Sequence, residues 1–416
     1  MGIETMNFRR VIKWLFKFIS YVALAIVAVI VIALFSFWIE LGSDVTLPTP
    51  TGSFAVGRAT FHWVDSLRVD SLSPQPLTKR ELGVWIWYPA SRMAADSVVA
   101  YDHADWESAS DTQLGFALAD LFWRDSRKIH PHSIKKGRIS DKQAKYPIIL
   151  MKSGIGTMAA DYTTYAEDLA SHGYVVVGSD APYSTFRIVF PGGRVVERTA
   201  EGNPGEFEYF SEDRIRVLNR LLGIWTEDTR FVLNKLEQLN SAESSNQFFG
   251  RLDIQSVGVF GHSFGGATAA QFCLDEPRCK AGVDLDGAPY GSVIKNGIHK
   301  PFMFLLADHG GETDSVSVQI RTNIENIYDS WPQEHYWIRL QGAKHFNFSD
   351  RPLQTEIVTS RIFGATGSIG GRRGLEVSSS CLRTFFDRYL KGSPAASIRD
   401  LPGKYPEVRF ERKLNE

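Results

Sequence analysis

Residues 257–270 read VGVFGHSFGGATAA, in which an apolar run ends at a serine set between glycines. The apolar run predicts a buried strand, and the small residues after the serine predict a closely packed helix. Residues 261–265 therefore form a G-x-S-x-G sequence at a strand-to-helix junction. Such a junction is typical of a nucleophile elbow, a sharp turn that points a serine hydroxyl out of the sheet and leaves no room for bulky neighbours. We predict that Ser263 is a catalytic nucleophile.

Short apolar runs alternate with helical patterns on both sides of this elbow. Predicted strands lie at residues 146–154, 174–180, 256–263, 281–287, 301–310 and 335–345. Predicted helices lie at residues 159–173, about 211–239, 264–275, 317–330 and 378–392. Two earlier strand candidates occupy residues 54–65 and 82–90. Apolar runs without polar alternation, separated by helices, predict a mostly parallel sheet covered by helices on both faces, which is the α/β class.

A serine nucleophile needs a base, and in α/β-hydrolases the acid and the histidine follow the serine along the chain. The histidines after Ser263 are His299, His309, His335 and His345. His345 comes just after the last predicted strand, in a loop before the final helix, where the base of this fold belongs. His299 precedes a strand and His335 begins one. We expect His309 to lie at the wrong end of its strand for a base. We therefore predict that His345 is the base.

Two aspartates are candidates for the acid that orients this histidine. Asp286 ends the strand after the elbow helix, in GVDLDGAPYG, and Asp308 ends the following strand, which is the more usual position in this fold. Both strand ends can reach the histidine, so the pattern leaves the choice open.

The oxyanion hole of such a site needs two backbone N–H groups. We expect one from Phe264, the residue after the nucleophile. The loop SGIGT, residues 153–157, follows a predicted strand, and its glycines would let the backbone approach a substrate closely. We predict that Ile155 of this loop supplies the second N–H.

Four segments together resemble the platelet-activating factor acetylhydrolase family, of the lipoprotein-associated phospholipase A2 type. They are GHSFGGAT, AGVDLDGAPYG, GAKHFNFSD and SGIGTMAADYTTYAEDLASHGYVVVGSD. The resemblance covers roughly residues 50–391. It implies an α/β-hydrolase fold, Asp286 as the acid, no metal or other cofactor, and hydrolysis of short or oxidised acyl esters, including those of phospholipids. One departure is Ser153-Gly154, where the family often has His-Gly, which affects the shape of the acyl pocket.

The N-terminal segment predicts a membrane anchor. Basic residues precede residues 18–39, which carry no charge and would span roughly 33 Å as a helix. Signal-peptide apolar regions are shorter, and no small-x-small cleavage site follows. Because the basic residues precede the span, the positive-inside rule predicts a single-pass protein with its catalytic domain on the periplasmic or other extracytoplasmic side. A cleaved secretory signal is the alternative.

The charge and the cysteine spacing of the chain give no indication of a nucleic-acid-binding or zinc-binding protein. The formal net charge of −1 gives no indication of a nucleic-acid partner. Three cysteines at this spacing fit no zinc site, whereas Cys273 and Cys279 are close enough in sequence to form either a local disulfide or two buried thiols. We expect small-molecule or lipid esters as substrates; the oligomeric state is not predicted.

The resulting domain organisation has five parts, and the insertions are expected to set substrate choice. The parts are a cytoplasmic basic segment (1–17), a transmembrane signal anchor (18–42), a linker (43–53), an α/β-hydrolase domain (54–395) and a tail (396–416). Insertions at 91–145, with a short helix near 112–123, and at 183–212 would shape the pocket. Two other functions fit the pattern: a broader lipase or polyester hydrolase with the same three residues, and a non-catalytic binding module.

Overall fold

The computed structural model describes most of the chain in ten stretches. They are residues 8–91, 97–101, 124–135, 137–204, 211–241, 246–332, 334–354, 364, 366–394 and 397–412. The short helix predicted near residues 112–123 lies outside these residues, as do parts of both predicted insertions.

Within the described residues, one large mixed sheet organises the protein. The strands are β1 (Val45–Thr46), β2 (Ala55–Val69), β3 (Lys79–Ser91), β4 (Ile129–His130), β5 (Ile134–Lys135), β6 (Arg138–Ile139), β7 (Tyr146–Lys152), β8 (Val175–Ser179), β9 (Arg187–Phe190), β10 (Arg194–Glu197), β11 (Leu252–His262), β12 (Cys279–Leu285), β13 (Phe302–Leu306), β14 (His335–Leu340) and β15 (Val408–Phe410). The order across the large sheet is β15-β14-β13-β12-β11-β7-β8-β3-β2-β5, with β6 beside β3.

The centre of this sheet is parallel, as the unalternating apolar runs predict. Strands β14, β13, β12, β11, β7 and β8 pair in parallel, whereas β3 pairs antiparallel with β8 and with β2, and β15 pairs antiparallel with β14. Because the carboxyl ends of parallel strands meet at one edge, the loops after β7, β11, β12, β13 and β14 lie along the same rim of the sheet. The functional candidates come from these loops.

Helices cover both faces of the sheet. The helices of the described residues are α1 (Phe8–Gly42), α2 (Thr163–Ser171), α3 (Glu212–Ser241), α4 (Phe264–Asp275), α5 (Val293–Asn296), α6 (Ser315–Tyr328), α7 (Arg351–Gln354), α8 (Gly371–Lys391) and α9 (Leu401–Lys404), with 3₁₀ turns at Ser126–Lys128, Ala159–Tyr162, His345–Phe348 and Ile398–Asp400; α1 does not pack on the sheet. Side chains of α2 and α8 pack on one face, and those of α3, α4 and α6 pack on the other. The predicted α/β-hydrolase arrangement of helices on both sides of a mostly parallel sheet is confirmed.

Strand β7 shows how one short sequence holds both layers together. Ile149 and Met151 are buried in the cluster on the α2 and α8 side, and Ile148 and Leu150 are buried in the opposite cluster. Successive strand side chains point to opposite faces, so a strand between two helical layers has to be apolar at every position.

The N-terminal helix stands apart from this core. Within α1, Val11–Gly42 is long and apolar enough to cross a membrane, and none of its most apolar window is buried against the rest of the protein. An N-terminal secretory signal can also be a helix of this kind, so length and composition leave both interpretations open. In the folded domain, Cys273 of α4 and Cys279 of β12 form a disulfide, and Cys381 is a buried free thiol.

Candidate active site

The strand-to-helix turn at Ser263 has the strained backbone of a nucleophile elbow. Ser263 follows β11, precedes the first turn of α4, and has φ 57° and ψ −123°. A side chain at Gly261 would place its Cβ 2.0 Å from the carbonyl oxygen of Gly265, and one at Gly265 would lie 2.3 Å from that of Lys152. The predicted need for glycines on both sides of the serine is therefore confirmed. A non-glycine residue at positive φ is costly and often marks a functional site.

The structure brings all five residues predicted for the site to one cavity. This cavity has a volume of about 680 Å³ and lies at the carboxyl rim of the sheet. Its walls include Ile155, Ser263, Phe264, Asp286 and His345. A concave site of this size is typical of small-molecule pockets.

The predicted base and one of the two candidate acids are in direct contact. The Nδ1 of His345 lies 2.7 Å from Oδ2 of Asp286. Since a carboxylate only accepts hydrogen bonds, Nδ1 donates, and Nε2 of the neutral ring is left as a proton acceptor. His345 begins the 3₁₀ turn after β14 and its side chain is 40% exposed. No hydrogen bond joins Ser263 to His345 among the described residues; such catalytic hydrogen bonds often form only when substrate binds.

Asp286 is held as a carboxylate by its surroundings. It follows β12 at φ 52°, another non-glycine residue in the left-handed region, and its side chain is 2% exposed. Burial would raise the pKa of this carboxyl, but hydrogen bonds from His309 and His345 outweigh burial and hold the pKa well below its ordinary value. The amide of Ala307 also donates to Oδ1, at 2.8 Å.

Asp308, the other candidate acid, contacts other groups than His345. Its Oδ2 accepts a 2.9 Å hydrogen bond from the amide of Gly342, and its Oδ1 lies 3.8 Å from an Nη of Arg339. The carboxylate therefore ties the loop after β13 to the loop after β14. Within the described structure, it makes no contact with the imidazole.

The expectation that His309 lies at the wrong strand end is wrong. His309 follows β13 at the carboxyl rim, and its Nε2 lies 2.8 Å from Oδ1 of Asp286. Sequence reasoning treated this histidine only as a competitor for the role of base, so it missed that two imidazoles share one carboxylate. The available signal was its place just after the strand that neighbours the acid strand.

The two predicted oxyanion donors also face the cavity. Phe264 is the first residue of α4, and Ile155 lies in the loop after β7. Neither amide donates a hydrogen bond to another described residue. In addition, the start of α4 concentrates free N–H groups, which favour negative charge.

A buried hydrogen-bonded chain connects the histidine loop with the predicted oxyanion loop. The Nε2 of His262 is 3.0 Å from the carbonyl oxygen of His345, and its Nδ1 is 2.8 Å from the hydroxyl of Tyr162. The amide of Gly154 donates to the same hydroxyl, at 3.2 Å. Burial lowers the pKa of His262 far below its usual range, and nearby His345 lowers it further, so the ring is neutral. Sequence analysis predicted no role for His262 or Tyr162.

The far end of the cavity is charged. Arg339 pairs with Glu411 at 2.8 Å, and Arg412 pairs with Glu325 at 3.1 Å. Within the described chain, no three His, Cys, Asp or Glu side chains are grouped so as to hold a metal ion.

Comparison with known proteins shows which families and folds the chain resembles. The family model for platelet-activating factor acetylhydrolase, isoform II, matches residues 210–393. A probable 1-alkyl-2-acetylglycerophosphocholine esterase of Arthroderma benhamiae is 25% identical over 398 residues, which cover 89% of this chain and 95% of that protein. This chain is similar in sequence to the platelet-activating factor acetylhydrolases. The predicted resemblance is thus confirmed, and these similarities support an esterase-type hydrolase.

Other relatives define how far the similarity extends. The platelet-activating factor acetylhydrolase of Cavia porcellus is 26% identical over 267 residues, which cover 59% of this chain and 58% of that protein. The chain therefore matches less than two thirds of the length of this mammalian relative. A ferulic acid esterase from Streptomyces cinnamoneus has a TM-score of 0.72 at 24% identity, covering 89% of this chain and all of that one, which shows a shared fold.

Proposed function

We propose that this esterase-type hydrolase works through an acyl-enzyme, with Ser263 as nucleophile, His345 as base and Asp286 as the acid that orients the base. The observation that carries this proposal is one cavity in which a strained serine shares the wall with a histidine whose Nδ1 is 2.7 Å from a buried carboxylate. Such a constellation is recognised by geometry and roles rather than by sequence position.

Each residue would take a definite part in the reaction. His345 Nε2 removes the proton of the Ser263 hydroxyl as Oγ attacks the ester carbonyl carbon. The amides of Ile155 and Phe264 donate to the resulting oxyanion. His345 then returns the proton to the leaving alcohol. In the second half of the reaction, His345 Nε2 removes a proton from water as the water oxygen attacks the acyl-enzyme carbonyl, and it gives this proton to Ser263 Oγ as the acid leaves. Ser263 and His345 are not hydrogen bonded in the described structure, so the reaction requires His345 Nε2 to come within hydrogen-bonding distance of the Ser263 hydroxyl.

The proposed substrates are short or oxidised acyl esters, including those at the sn-2 position of phospholipids. Support comes from the printed names of the relatives, which are acetylhydrolases and an esterase of an acetylated glycerophosphocholine. The cavity offers apolar surface near the serine, from Ile155 and Phe264, and a charged end that suits a polar leaving group. The second candidate, a broader lipase or polyester hydrolase, would use the same three residues.

Hydrolysis of a p-nitrophenyl ester series by the full-length protein in detergent tests both candidates. The proposal expects rates that are highest for acetyl and fall steeply towards palmitoyl, whereas a broad lipase would accept the long chains. Ser263→Ala should lower kcat by several powers of ten, since it removes the attacking atom. Ser241→Ala, at the exposed end of α3, is the control. Turnover by Ser263→Ala within tenfold of wild type would rule out Ser263 as the nucleophile.

We also propose that α1 is a retained membrane anchor that holds residues 54–395, the hydrolase domain, outside the cytoplasm. Support comes from the length of the uncharged span and from the basic residues before it. Residues 43–53 would act as the linker to the domain, and 396–416 as its tail. A tethered esterase would meet lipid substrates at the membrane surface.

A further inference from the structure

Two imidazole rings, those of His345 and His309, contact the carboxylate of Asp286, whereas the proposed mechanism uses only the contact with His345. Asp286 receives His345 Nδ1 on Oδ2 at 2.7 Å and His309 Nε2 on Oδ1 at 2.8 Å. The carboxylate side chain is 2% exposed, whereas that of His309 is 50% exposed and lines the substrate cavity. The acid is therefore enclosed between the base on one side and a second histidine on the other.

The second histidine carries a charge at neutral pH. The hydrogen bond to Asp286 raises the pKa of His309 to about 9, although burial alone would lower it. Glu312 adds to the same effect, because one of its carboxylate oxygens lies 3.4 Å from Nδ1 of His309. His309 and Asp286 consequently form an ion pair in the pH range in which an esterase of this kind needs a neutral base.

Other charged or titratable groups around His309 come from four elements of the described structure. Its own loop contributes Asp308 and Glu312. Helix α6 contributes Arg321, which donates to the carbonyl oxygen of Glu312 at 3.0 Å, and β14 contributes Arg339, which lies 3.8 Å from Asp308. The loop after β14 contributes His345 itself. Arg321 and Arg339 both contact this acidic loop. Of these charged side chains, only that of His309 is hydrogen bonded to Asp286, next to the base.

We propose that His309 is a positioning residue that fixes Asp286 for His345 and partly neutralises the carboxylate, so that the base remains unprotonated at mildly acidic pH. The inference rests on the proposed function, because it concerns how the same base is tuned. A bare carboxylate stabilises the protonated form of a neighbouring imidazole, and a positive charge on the other carboxylate oxygen weakens that stabilisation. His309 would thereby extend activity towards lower pH.

The pH dependence of kcat/KM for p-nitrophenyl acetate tests this inference on the full-length protein. His309→Gln keeps a hydrogen-bond donor near Asp286 but removes the charge, so the acidic limb of the profile should move up by about one pH unit. His309→Lys restores the charge and should bring the limb back towards that of wild type. His299→Gln, an exposed histidine before β13, should leave the profile unchanged.

The possible results separate this inference from the proposed function. An equal loss at every pH in His309→Gln, or a limb that stays in place, overturns the tuning role while the esterase assignment stands. A limb that moves in His309→Gln and fails to return in His309→Lys also overturns it. If His309→Gln does not fold, the limb of His309→Lys must coincide with that of wild type, and any other position overturns the inference. A wild-type protein without turnover overturns both proposals.

Discussion

The choice between Asp286 and Asp308 as the acid depends on which carboxylate is hydrogen bonded to His345. Asp286→Asn should reduce kcat by roughly ten-thousandfold, because an amide at this position favours the wrong tautomer of His345. Asp308→Asn is the matched control, since Asp308 accepts from the amide of Gly342 and contacts no imidazole in the described structure. Asp308→Asn should lower kcat by less than about tenfold. Steady-state kinetics on p-nitrophenyl acetate compare the two variants. A larger loss of kcat in Asp308→Asn would show that Asp308, at the more usual strand end, is the acid.

The same pair of residues shows what sequence can predict about the site. Serine, base and oxyanion loop follow from one elbow motif and from chain order, because the fold fixes where each must lie. The acid followed only from resemblance, since strand ends do not reveal which side chain points along the rim. Contacts such as His309 with Asp286, or Tyr162 with His262, join residues far apart in the chain. They depend on side-chain directions that no local pattern encodes.

At the scale of elements, the packing of α4 on the sheet depends on Gly266. A Cβ at this position would lie 1.8 Å from Oδ1 of Asp284, a fully buried residue of β12. Gly266→Ala should therefore destabilise the protein by about 1–3 kcal/mol through overpacking, measured as a lower midpoint of thermal unfolding.

Gly223→Ala provides the matched control for this prediction. Gly223 is an exposed residue within α3, and no other group lies within 4 Å of a Cβ placed there. Alanine is a better helix former, so this substitution should stabilise the protein by about 0.5–1 kcal/mol. A stable Gly266→Ala protein would show that the elbow helix can shift away from β12, contrary to the close packing described here.

The elements themselves were predicted unevenly, for physical reasons. The helix expected at about 211–239 is observed as Glu212–Ser241, because ten or more residues of helical periodicity leave little ambiguity. Strand β15, with three residues at the sheet edge, and the hairpin of β9 and β10 were not predicted. Short edge strands are specified mainly by their pairing partner, which a sequence window does not contain.

At the scale of the whole molecule, the proposed anchor predicts a membrane protein with its active site outside the cytoplasm. Alkaline phosphatase fused after Glu416 should be active, because it folds only where disulfides form. Carbonate extraction should leave the full-length chain in the pellet. Soluble protein lacking residues 1–42 would instead show a cleaved signal, and an inactive fusion would contradict the predicted orientation. The esterase assignment is independent of both results, since every proposed catalytic residue lies beyond the linker.

The central claim is that Ser263 is a nucleophile activated by its surroundings, and covalent labelling tests it most directly. A fluorophosphonate probe reacts with a serine hydroxyl only where a base and an oxyanion hole activate it. Intact mass and peptide mapping of the full-length protein should show one adduct per chain, located on Ser263. The adduct should be absent from Ser263→Ala and unaffected in Ser241→Ala. An adduct on another residue, or undiminished labelling of Ser263→Ala, would contradict the claim.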